Sequence, residues 1–177
     1  KIDWGFDEDY TFSIPIETVK ADPTLRNKVR NNSSIIRYVK YNGIRILFAG
    51  DLETAGWEWL AKNNEFFKSL MKGGLDVLVA PHHGHDSGFP KALLDLTGNV
   101  KAIVLSKDSE ATKEGTDVYT GYSNYADGVR YYNTNDKNMY FGKVLTTRSN
   151  GNVYLFVDPQ YGFYVATETA SPNHKKI

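Results

Sequence analysis

The clearest pattern of hydrophobic and polar positions lies in the middle of the chain, where two apolar runs flank a turn signal. Residues Ser34–Tyr41 are rich in β-branched and aromatic side chains, and Ile44–Ala49 is almost continuously apolar. Between them stands Asn42-Gly43, a pair favoured in two-residue hairpin turns because both positions adopt positive φ. The pattern predicts a β-hairpin whose second strand is buried and central in a sheet.

Helical and strand periodicities alternate after this hairpin. Glu53–Met71 carries apolar residues at helical spacing and is followed by Gly73-Gly74, which predicts one helix that ends at the glycines. Leu75–Ala80 and Val100–Leu105 predict two more buried strands, and Phe89–Leu96 predicts a short helix between them. The order strand–helix–strand–helix–strand is typical of an α/β fold with parallel pairing.

The two ends of the chain have weaker patterns. Tyr10–Val19 alternates loosely and predicts a strand that Pro15 confines to a sheet edge. Near the other end we expect three antiparallel strands, at Lys143–Arg148, Val153–Val157 and Phe163–Thr167. Residues 171–177 are expected to form a disordered tail, in which His174 has no role.

The remaining segments are mostly polar. Asp22–Asn32, Lys107–Asp117 and Asn133–Asn138 are predicted to be loops, and Val118–Asp127 is predicted to be a helix that ends at Gly128. No internal repeat or low-complexity tract interrupts the pattern, so we assign residues 1–177 to one domain or to part of a larger one.

Composition narrows the class of protein. With 41% hydrophobic and 24% charged residues, the chain is not intrinsically disordered. Lys and Arg number 21, as do Asp and Glu, so no net charge attracts nucleic acid or an anionic membrane, and any anion site must be local. The absence of cysteine excludes a disulfide scaffold and a thiolate metal site.

No apolar run approaches the ~20 residues of a membrane span, so we expect a soluble protein, with the cytoplasm preferred over other compartments.

The first candidate for chemistry is Asp51, which follows Phe48-Ala49-Gly50 at the end of the predicted central strand. Ligands of α/β proteins bind at the carboxyl ends of such strands. Taken alone, Asp51 also suits the N-terminal cap of the next helix, and that simpler interpretation is the commoner one for an aspartate at this place.

The second candidate is the segment from Ala80 to Gly88, which follows another predicted buried strand. It contains His82, His83 and His85, three of the four histidines in the chain. Imidazole is a frequent metal ligand and changes charge near neutral pH, so this clustering favours a functional site over an inert polar loop. If the two preceding strands are parallel neighbours, Asp51 faces this histidine loop across the same edge of the sheet.

These residues together resemble the carboxyl-terminal half of a metallo-β-lactamase-fold hydrolase, in particular the nuclease-type branch typified by the domain of the competence protein ComEC. The resemblance spans residues 31–157, and its most specific pieces are Gly50-Asp51 and Pro81-His82-His83-Gly84, each after a strand. Weaker pieces are Asn31 to Ile36, which matches an Asn-x-x-Ser element, Val104-Leu105-Ser106, and the terminal hairpin at Leu145-Thr146-Thr147-Arg148 with Gly151.

The resemblance implies a fold and a metal site. The fold would be a four-layer αββα sandwich, of which this chain represents the second half. Asp51 matches the aspartate that bridges two divalent ions, zinc or manganese, and His83 matches the last histidine ligand. His82 matches the neighbour that contacts the phosphate or the leaving group, so the implied catalytic residues are His82 and Asp51. The implied reaction is hydrolysis of a phosphodiester by a metal-activated hydroxide.

The resemblance also implies where substrate would bind. Asn31 or Asn32 takes the place where many relatives have another histidine, and His85 and Ser87 follow the His-His-Gly element. We therefore take Asn31, Asn32, His85 and Ser87 as the candidate substrate contacts.

One family motif is absent. The leading ligands of such hydrolases lie in a His-x-His-x-Asp-His motif before the Gly-Asp element, but no histidine precedes His82. The chain begins with Lys1, and we expect it to be a piece whose missing partner is the amino-terminal half of the same domain. By itself the chain is expected to be inactive. A rival interpretation treats His83-Gly84-His85-Asp86-Ser87-Gly88 as a damaged copy of the motif, one residue short and with Ser87 in place of its final histidine.

Two further functions remain open at this stage. The absent motif also suits a metal-free domain kept for binding or assembly, for which the 24 aromatic residues (12 Tyr, 9 Phe, 3 Trp) offer interface side chains. A hydrolase of the same fold could act on a lactam, a thioester or a phosphocholine ester. A nuclease needs a basic groove, and one cluster of basic residues precedes the Gly-Asp strand, although a solvated surface is the preferred interpretation of it: Lys20, Arg26, Lys28, Arg30 and Arg37.

Overall fold

The computed structural model describes residues 5–107, 119–160 and 162–177, and its secondary structure is mixed. The strands are β1 (Glu8–Phe12), β2 (Ile36–Tyr41), β3 (Ile44–Phe48), β4 (Val77–Val79), β5 (Ala102–Leu105), β6 (Val129–Asn133), β7 (Met139–Gly142), β8 (Val144–Thr146), β9 (Val153–Asp158), β10 (Gly162–Thr167) and β11 (Lys175–Lys176). The helices are α1 (Ile16–Ala21), α2 (Val29–Asn32), α3 (Thr54–Asn63), α4 (Glu65–Lys72), α5 (Lys91–Thr97), α6 (Tyr119–Ser123) and α7 (Thr147–Asn150), with 3₁₀ turns at Arg26–Lys28, Pro81–Gly84 and Asp86–Gly88. Among these helices, none combines the length and the apolar character needed to cross a lipid bilayer.

The strands form two sheets. Sheet 1 has the order β1-β2-β3-β4-β5-β8, and sheet 2 has the order β11-β7-β6-β10-β9. In sheet 1, the pairs β3–β4, β4–β5 and β5–β8 are parallel, whereas the pairs β1–β2 and β2–β3 are antiparallel. The prediction of an α/β fold with parallel pairing is therefore confirmed, and the parallel run places the carboxyl ends of β3 and β4 side by side.

The predicted hairpin forms β2 and β3. Asn42 has φ 47° and Gly43 has φ 77°, as a two-residue turn with positive φ at both positions requires, and Tyr41 pairs with Ile44 beside it. Because successive side chains alternate between faces, Leu47 packs toward the helices and Ile46 toward sheet 2.

The helix predicted over Glu53–Met71 is two helices. The chain breaks at Asn64, whose φ of −117° and ψ of 93° are extended, and its side chain accepts a hydrogen bond from the Phe67 backbone N–H at 2.9 Å. Asparagine is a good N-terminal cap, and a cap inside an apolar periodicity ends one helix and begins another. Trp57 of α3 and Phe67 of α4 still face the same core.

The ends of the chain differ from the sequence predictions. β1 stops at Phe12, and α1 begins directly after Pro15, which suits the start of a helix because proline lacks an N–H. The expected disorder of residues 171–177 is wrong, since Lys175–Lys176 pairs with β7 as β11. His174 is also not inert: Nε2 donates to the Val144 carbonyl at 3.0 Å, Nδ1 accepts from the Tyr131 hydroxyl at 2.7 Å, and burial lowers its pKa.

The expected three-stranded antiparallel unit is wrong in one strand. β9 and β10 form an antiparallel pair, but β8 joins sheet 1 parallel to β5 and leads into α7. Sheet 2 is completed by β6 and β7, which the sequence patterns did not predict, and β10 pairs parallel with β6. The predicted helix over Val118–Asp127 is shorter, as α6, while most of the predicted loop Lys107–Asp117 lies outside the described residues.

Three layers pack together in the described part of the chain. Apolar side chains of α3, α4 and α5 cover one face of sheet 1, where they meet Leu47, Leu78 and Ile103. The other face of sheet 1 packs against sheet 2, chiefly through Val77 and Val104. The outer face of sheet 2 exposes large apolar side chains on four strands: Tyr132, Met139, Phe141, Tyr154, Phe156 and Tyr164.

Candidate functional site

Two loops meet at the carboxyl ends of β3 and β4. The His82 backbone N–H donates a hydrogen bond to the Gly50 carbonyl at 2.9 Å, which ties the histidine loop to the Gly-Asp turn. Gly50 has φ 57°, and a Cβ there would lie 2.9 Å from the Ile35 carbonyl oxygen. Glycine is needed at this point because both the left-handed backbone and the close approach of another chain segment exclude a side chain.

Asp51 and His83 face each other across this junction. His83 Nε2 lies 3.8 Å from Asp51 Oδ1, and more than half of each side chain is exposed to solvent. The Asp51 backbone N–H donates to the Ser34 hydroxyl at 3.3 Å. Glu53, not Asp51, occupies the cap position of α3, and it makes no side-chain cap bond. The simpler interpretation of Asp51 as a helix cap therefore does not hold, and its carboxylate is free to face the histidine.

The His83 ring is oriented by sheet 1. Its Nδ1 lies 2.8 Å from the carbonyl oxygen of Ser106, which follows β5. A carbonyl only accepts hydrogen bonds, so Nδ1 carries the proton in neutral His83 and Nε2, on the side of Asp51, has the free lone pair. Histidines that bind metals are commonly held in this way, with the other ring nitrogen donating to a carbonyl.

The backbone of the histidine loop is strained. His82 has φ 46° and His83 has φ 54°, and Gly84 follows with φ 79°. A left-handed conformation costs a non-glycine residue about 1–2 kcal/mol, so the packing around the loop must offset this cost at two consecutive positions. Gly84 is also required for space, because a Cβ there would collide with the Leu105 side chain.

Glu53 is a site residue that the sequence reasoning missed. Its side chain is only 7% exposed, and Oε1 lies 3.4 Å from His82 Nδ1. The Asn31 side chain donates to the same oxygen at 2.7 Å. Asn31 therefore reaches the site through a carboxylate that orients His82. The sequence signal for Glu53 was a carboxylate two residues after Asp51, at the start of an amphipathic helix.

Ser87 links two of the imidazoles. Its hydroxyl lies 3.1 Å from His82 Nδ1 and 3.0 Å from His85 Nδ1, and the two rings are 5.1 Å apart at their centroids. Asp86 Oδ1 is a further partner of His85 Nδ1, at 2.8 Å. Ser87 therefore connects His82 and His85 through their Nδ1 atoms. The Nε2 atoms of both rings are the groups that could bind a ligand.

Asn32 lies apart from the other predicted site residues. Its side chain is 1% exposed and donates to the Leu25 carbonyl at 2.9 Å, within the core. A Cβ on Gly56 of α3 would come within 2.9 Å of the Asn32 Oδ1 atom. Asn32 thus supports α2 against α3, and of the two asparagines only Asn31 reaches the site.

The Asp51–His83 pair fits two ligands of one metal ion. Zinc lies ~2.0–2.2 Å from histidine nitrogen and carboxylate oxygen, so an ion could bind both atoms across the observed 3.8 Å. Within residues 5–107, 119–160 and 162–177, no group of three or more His, Asp or Glu residues is arranged to hold a metal. A complete site therefore needs ligands beyond this pair.

The basic cluster before the Gly-Asp strand is partly neutralised. Arg37 forms a two-pronged pair with Asp9 at 3.0 Å for each contact, and Lys20 pairs with Glu17 at 3.2 Å. These contacts agree with a solvated surface better than with a continuous phosphate-binding groove.

Comparison with protein-family models and with curated proteins finds no match to this chain.

Proposed function

We propose that this chain forms part of a metal-dependent hydrolase that acts on phosphodiesters. The observation that carries the proposal is the pairing of the Asp51 carboxylate with the lone-pair nitrogen of His83, 3.8 Å apart, at the carboxyl ends of two parallel strands. The fixed ring orientation adds support, because Nδ1 of His83 is held by the Ser106 carbonyl and Nε2 faces the carboxylate.

The roles of the side chains follow from their positions. Asp51 and His83 are the metal ligands that this chain supplies. A zinc or manganese ion, when bound with its further ligands, supplies hydroxide at neutral pH and neutralises negative charge on the substrate. Glu53 and Ser87 orient His82, which in this proposal contacts the phosphate oxygens or protonates the leaving oxygen. His85 and Asn31 complete the polar rim.

The remaining ligands would come from a segment that carries the His-x-His-x-Asp-His motif. In this proposal that segment is the amino-terminal half of a four-layer αββα sandwich, and sheets 1 and 2 with helices α3–α5 are three of its layers. The exposed apolar face of sheet 2 supports this reconstruction, because a fourth layer of helices would cover Tyr154, Phe156 and Tyr164.

The direct test measures metal binding and hydrolysis in the protein that contains the complete motif. We expect zinc or manganese to bind by calorimetry, and Asp51→Ala and His83→Ala each to weaken binding and to lower hydrolysis of a phosphodiester. Asp95→Ala is the matched control, since Asp95 is also an exposed acid but pairs with Lys91 on α5 and not with a histidine. Unchanged hydrolysis in Asp51→Ala, or no metal binding to the complete protein, would refute the proposal.

A second candidate function is a metal-free binding or assembly domain. The outer face of sheet 2 favours it, because Phe156 stacks on Tyr164 at 4.9 Å with nearly parallel rings, beside Tyr154 at 6.4 Å. Exposed aromatic side chains are enriched in protein interfaces. Binding of a protein partner that is lost in Phe156→Ser but retained in Asp51→Ala would support this function over the hydrolase.

A further inference from the structure

We propose that a surface cavity on the outer face of sheet 2 binds the anion of a medium-chain fatty acid, a carboxylate with an alkyl chain. The cavity has a volume of about 620 Å³, and its lining residues come from β6, β7 and the segment around β11: Arg130, Met139, Phe141, Lys175 and Ile177. The candidate metal site lies at the carboxyl ends of β3 and β4 in sheet 1, so binding at this cavity does not depend on the proposed hydrolase function.

Strand register places an aromatic ring between two cations. Phe141 of β7 pairs with Arg130 of β6 on one side and with Lys175 of β11 on the other. Because directly paired residues point to the same face and neighbouring strands lie ~4.8 Å apart, the two cations leave the sheet about 10 Å apart, one on each side of the ring. Both side chains are long enough to converge on one carboxylate above the ring.

The core of the molecule fixes the outward direction of both cations. Tyr131 is fully buried, and its hydroxyl donates to Nδ1 of His174 at 2.7 Å on the inner side of sheet 2. Successive side chains of a strand point to opposite faces, so Arg130 and Lys175, the direct neighbours of these two residues, point to the outer face. Both are exposed there.

The positive charge of the cavity has no neighbouring anion. In the part of the chain that the structure describes, neither the Arg130 nor the Lys175 side chain has a hydrogen-bond or ion-pair partner, and no acidic residue is among those that line the cavity. Arg37 and Lys91, by comparison, each pair with an aspartate at the surface. A carboxylate at this cavity would therefore accept charge-assisted hydrogen bonds without breaking an existing ion pair.

An apolar row lies beside the charged row on the same face. Tyr132 pairs with Met139, and the Ile177 N–H donates to the Met139 carbonyl at 3.0 Å. The side chains of Met139 and Ile177 are 39% and 53% exposed. Residues on one face of a strand are ~7 Å apart, so this row is within reach of an alkyl chain whose carboxylate lies at the cations.

The two rows together favour an amphipathic anion. Acetate or phosphate would use the cations but leave the apolar row in water, and an uncharged lipid would cover the apolar row without using the cations. An alkyl carboxylate does both, and the burial of its chain against the apolar row adds hydrophobic free energy. The volume of the cavity is also within the ~300–1,000 Å³ that is usual for small-molecule sites.

The aromatic side chain in the charged row is held in place. A Cβ on Gly128 would collide with the Phe141 ring, so the ring packs directly against the backbone that leads into β6. Gly128 also has φ 102°, which other residues rarely adopt. A ring that is fixed before binding loses little freedom when a ligand covers it, which lowers the entropic cost of binding.

The proposed fourth layer of helices does not require these strands. That layer would cover Tyr154, Phe156 and Tyr164, which lie on β9 and β10. A helix is ~10 Å across and covers about two strands at a spacing of ~4.8 Å. β7 and β11 lie at the opposite edge of sheet 2, so the cavity stays accessible beside such a layer.

The test titrates octanoate, below its micelle concentration, into the nitrogen-15-labelled 177-residue chain and follows the backbone amides by NMR. We expect shifts that saturate and are centred on β6, β7 and β11. Two partial ligands separate the contributions: acetate has the charge without the chain, and 1-octanol has the chain without the charge. Both should bind at least about tenfold more weakly than octanoate, since each lacks one of the two interactions.

Variants at exposed positions test the residues. Arg130→Gln and Lys175→Gln should each weaken octanoate binding about tenfold through the loss of one charge-assisted hydrogen bond. Lys175→Arg should retain the affinity, because it retains the charge. Met139→Ser should weaken the binding of octanoate but not of acetate. Lys72→Gln is the matched control, since it removes an exposed charge at the end of α4 and should leave binding unchanged.

Several outcomes would overturn this site. These are no saturable shifts on β6, β7 and β11, unchanged affinity in both Gln variants, an equal loss in Lys72→Gln, or binding of acetate or 1-octanol as tight as that of octanoate. Sedimentation with phosphatidylglycerol vesicles but no binding of free octanoate would also overturn it, in favour of a membrane surface. Asp51→Ala should bind octanoate as the original chain does, so a failure of the metal proposal would leave this result unaffected.

Discussion

The Glu53 carboxylate lies 3.4 Å from Nδ1 of His82, and the Asn31 side chain donates to the same carboxylate oxygen at 2.7 Å. This buried group comes from the segment after the Gly-Asp turn, whereas His82 comes from the loop after β4. The contact therefore joins the two halves of the candidate site and orients the imidazole that we propose to contact the substrate.

Replacing Glu53 with Gln should reduce turnover without preventing folding. Gln retains the size of the side chain and can still accept from Asn31, but it removes the negative charge beside Nδ1 of His82. In the complete protein we expect kcat for a phosphodiester to fall about tenfold, with KM little changed, because positioning groups of this kind typically contribute that much. Steady-state kinetics measures both constants.

Glu65→Gln is the control for Glu53→Gln, since Glu65 lies in the first turn of α4 and pairs with Lys68 at the surface. If both variants retained full kcat, Glu53 would have no role in orienting His82.

The neutral forms of His83 and His174 should be opposite tautomers. Nδ1 of His83 donates to the Ser106 carbonyl, whereas Nε2 of His174 donates to the Val144 carbonyl and its Nδ1 accepts from Tyr131. Nitrogen-15 NMR of the imidazoles at pH 8 should show the proton on Nδ1 of His83 and on Nε2 of His174. A proton on Nε2 of His83 would mean that the nitrogen facing Asp51 is not available to a metal.

Alanine at Gly50 should be much more destabilising than alanine at Gly43. Both glycines have positive φ, 57° and 77°, but a Cβ on Gly50 meets the Ile35 carbonyl while a Cβ on Gly43 meets nothing within 4 Å. We expect Gly43→Ala to cost about 1 kcal/mol from backbone strain alone, and Gly50→Ala about 3 kcal/mol because a steric clash is added. Urea denaturation gives both values, and equal costs would contradict the close approach of the two segments.

Asp76 should stabilise the fold in a pH-dependent way. It is nearly buried between Arg45 and Lys101, at 3.2 Å and 2.9 Å. Burial by itself raises its pKa, but the Arg45 N–H and the two cationic side chains outweigh burial, so the net pKa lies below its usual 3.8. The contribution of Asp76 to the free energy of unfolding is therefore fully present above pH 3.8. It is lost as the pH falls through the lower pKa of the folded state.

We expect Asp76→Asn to lower the free energy of unfolding by about 1–3 kcal/mol at pH 7, since a neutral amide replaces the buried carboxylate that accepts from the Arg45 N–H and pairs with Arg45 and Lys101. The difference from the original chain should shrink below pH 3.8. Asp95→Asn, which breaks an exposed pair with Lys91, should have a much smaller effect. A difference for Asp76→Asn that stays constant down to pH 2 would contradict the depressed pKa.

Local patterns determined much of the fold. The Asn42-Gly43 turn, the buried strands after it and the end of α5 at Gly98 follow from short-range preferences: positive φ, continuous apolar runs and glycine at a helix end. The placement of Asp51 and of the histidine loop at one sheet edge also followed from the sequence, because parallel neighbours end on the same side. The structure agrees, with His83 and Asp51 within 3.8 Å.

Only the tertiary structure decided which side chains share an environment. Whether Asn31 or Asn32 faces the site depends on the direction in which α2 meets α3, and the burial of Glu53 beside His82 depends on contacts between distant segments. The same holds for β8, which the sequence predicts as a third strand of an antiparallel unit but which pairs with β5. It also holds for residues 171–177, whose polar composition gives no indication of β11. Sequence periodicity reports which face of a segment is apolar, but it carries no information on the partner that covers that face, because that partner is selected by the packing of the whole chain.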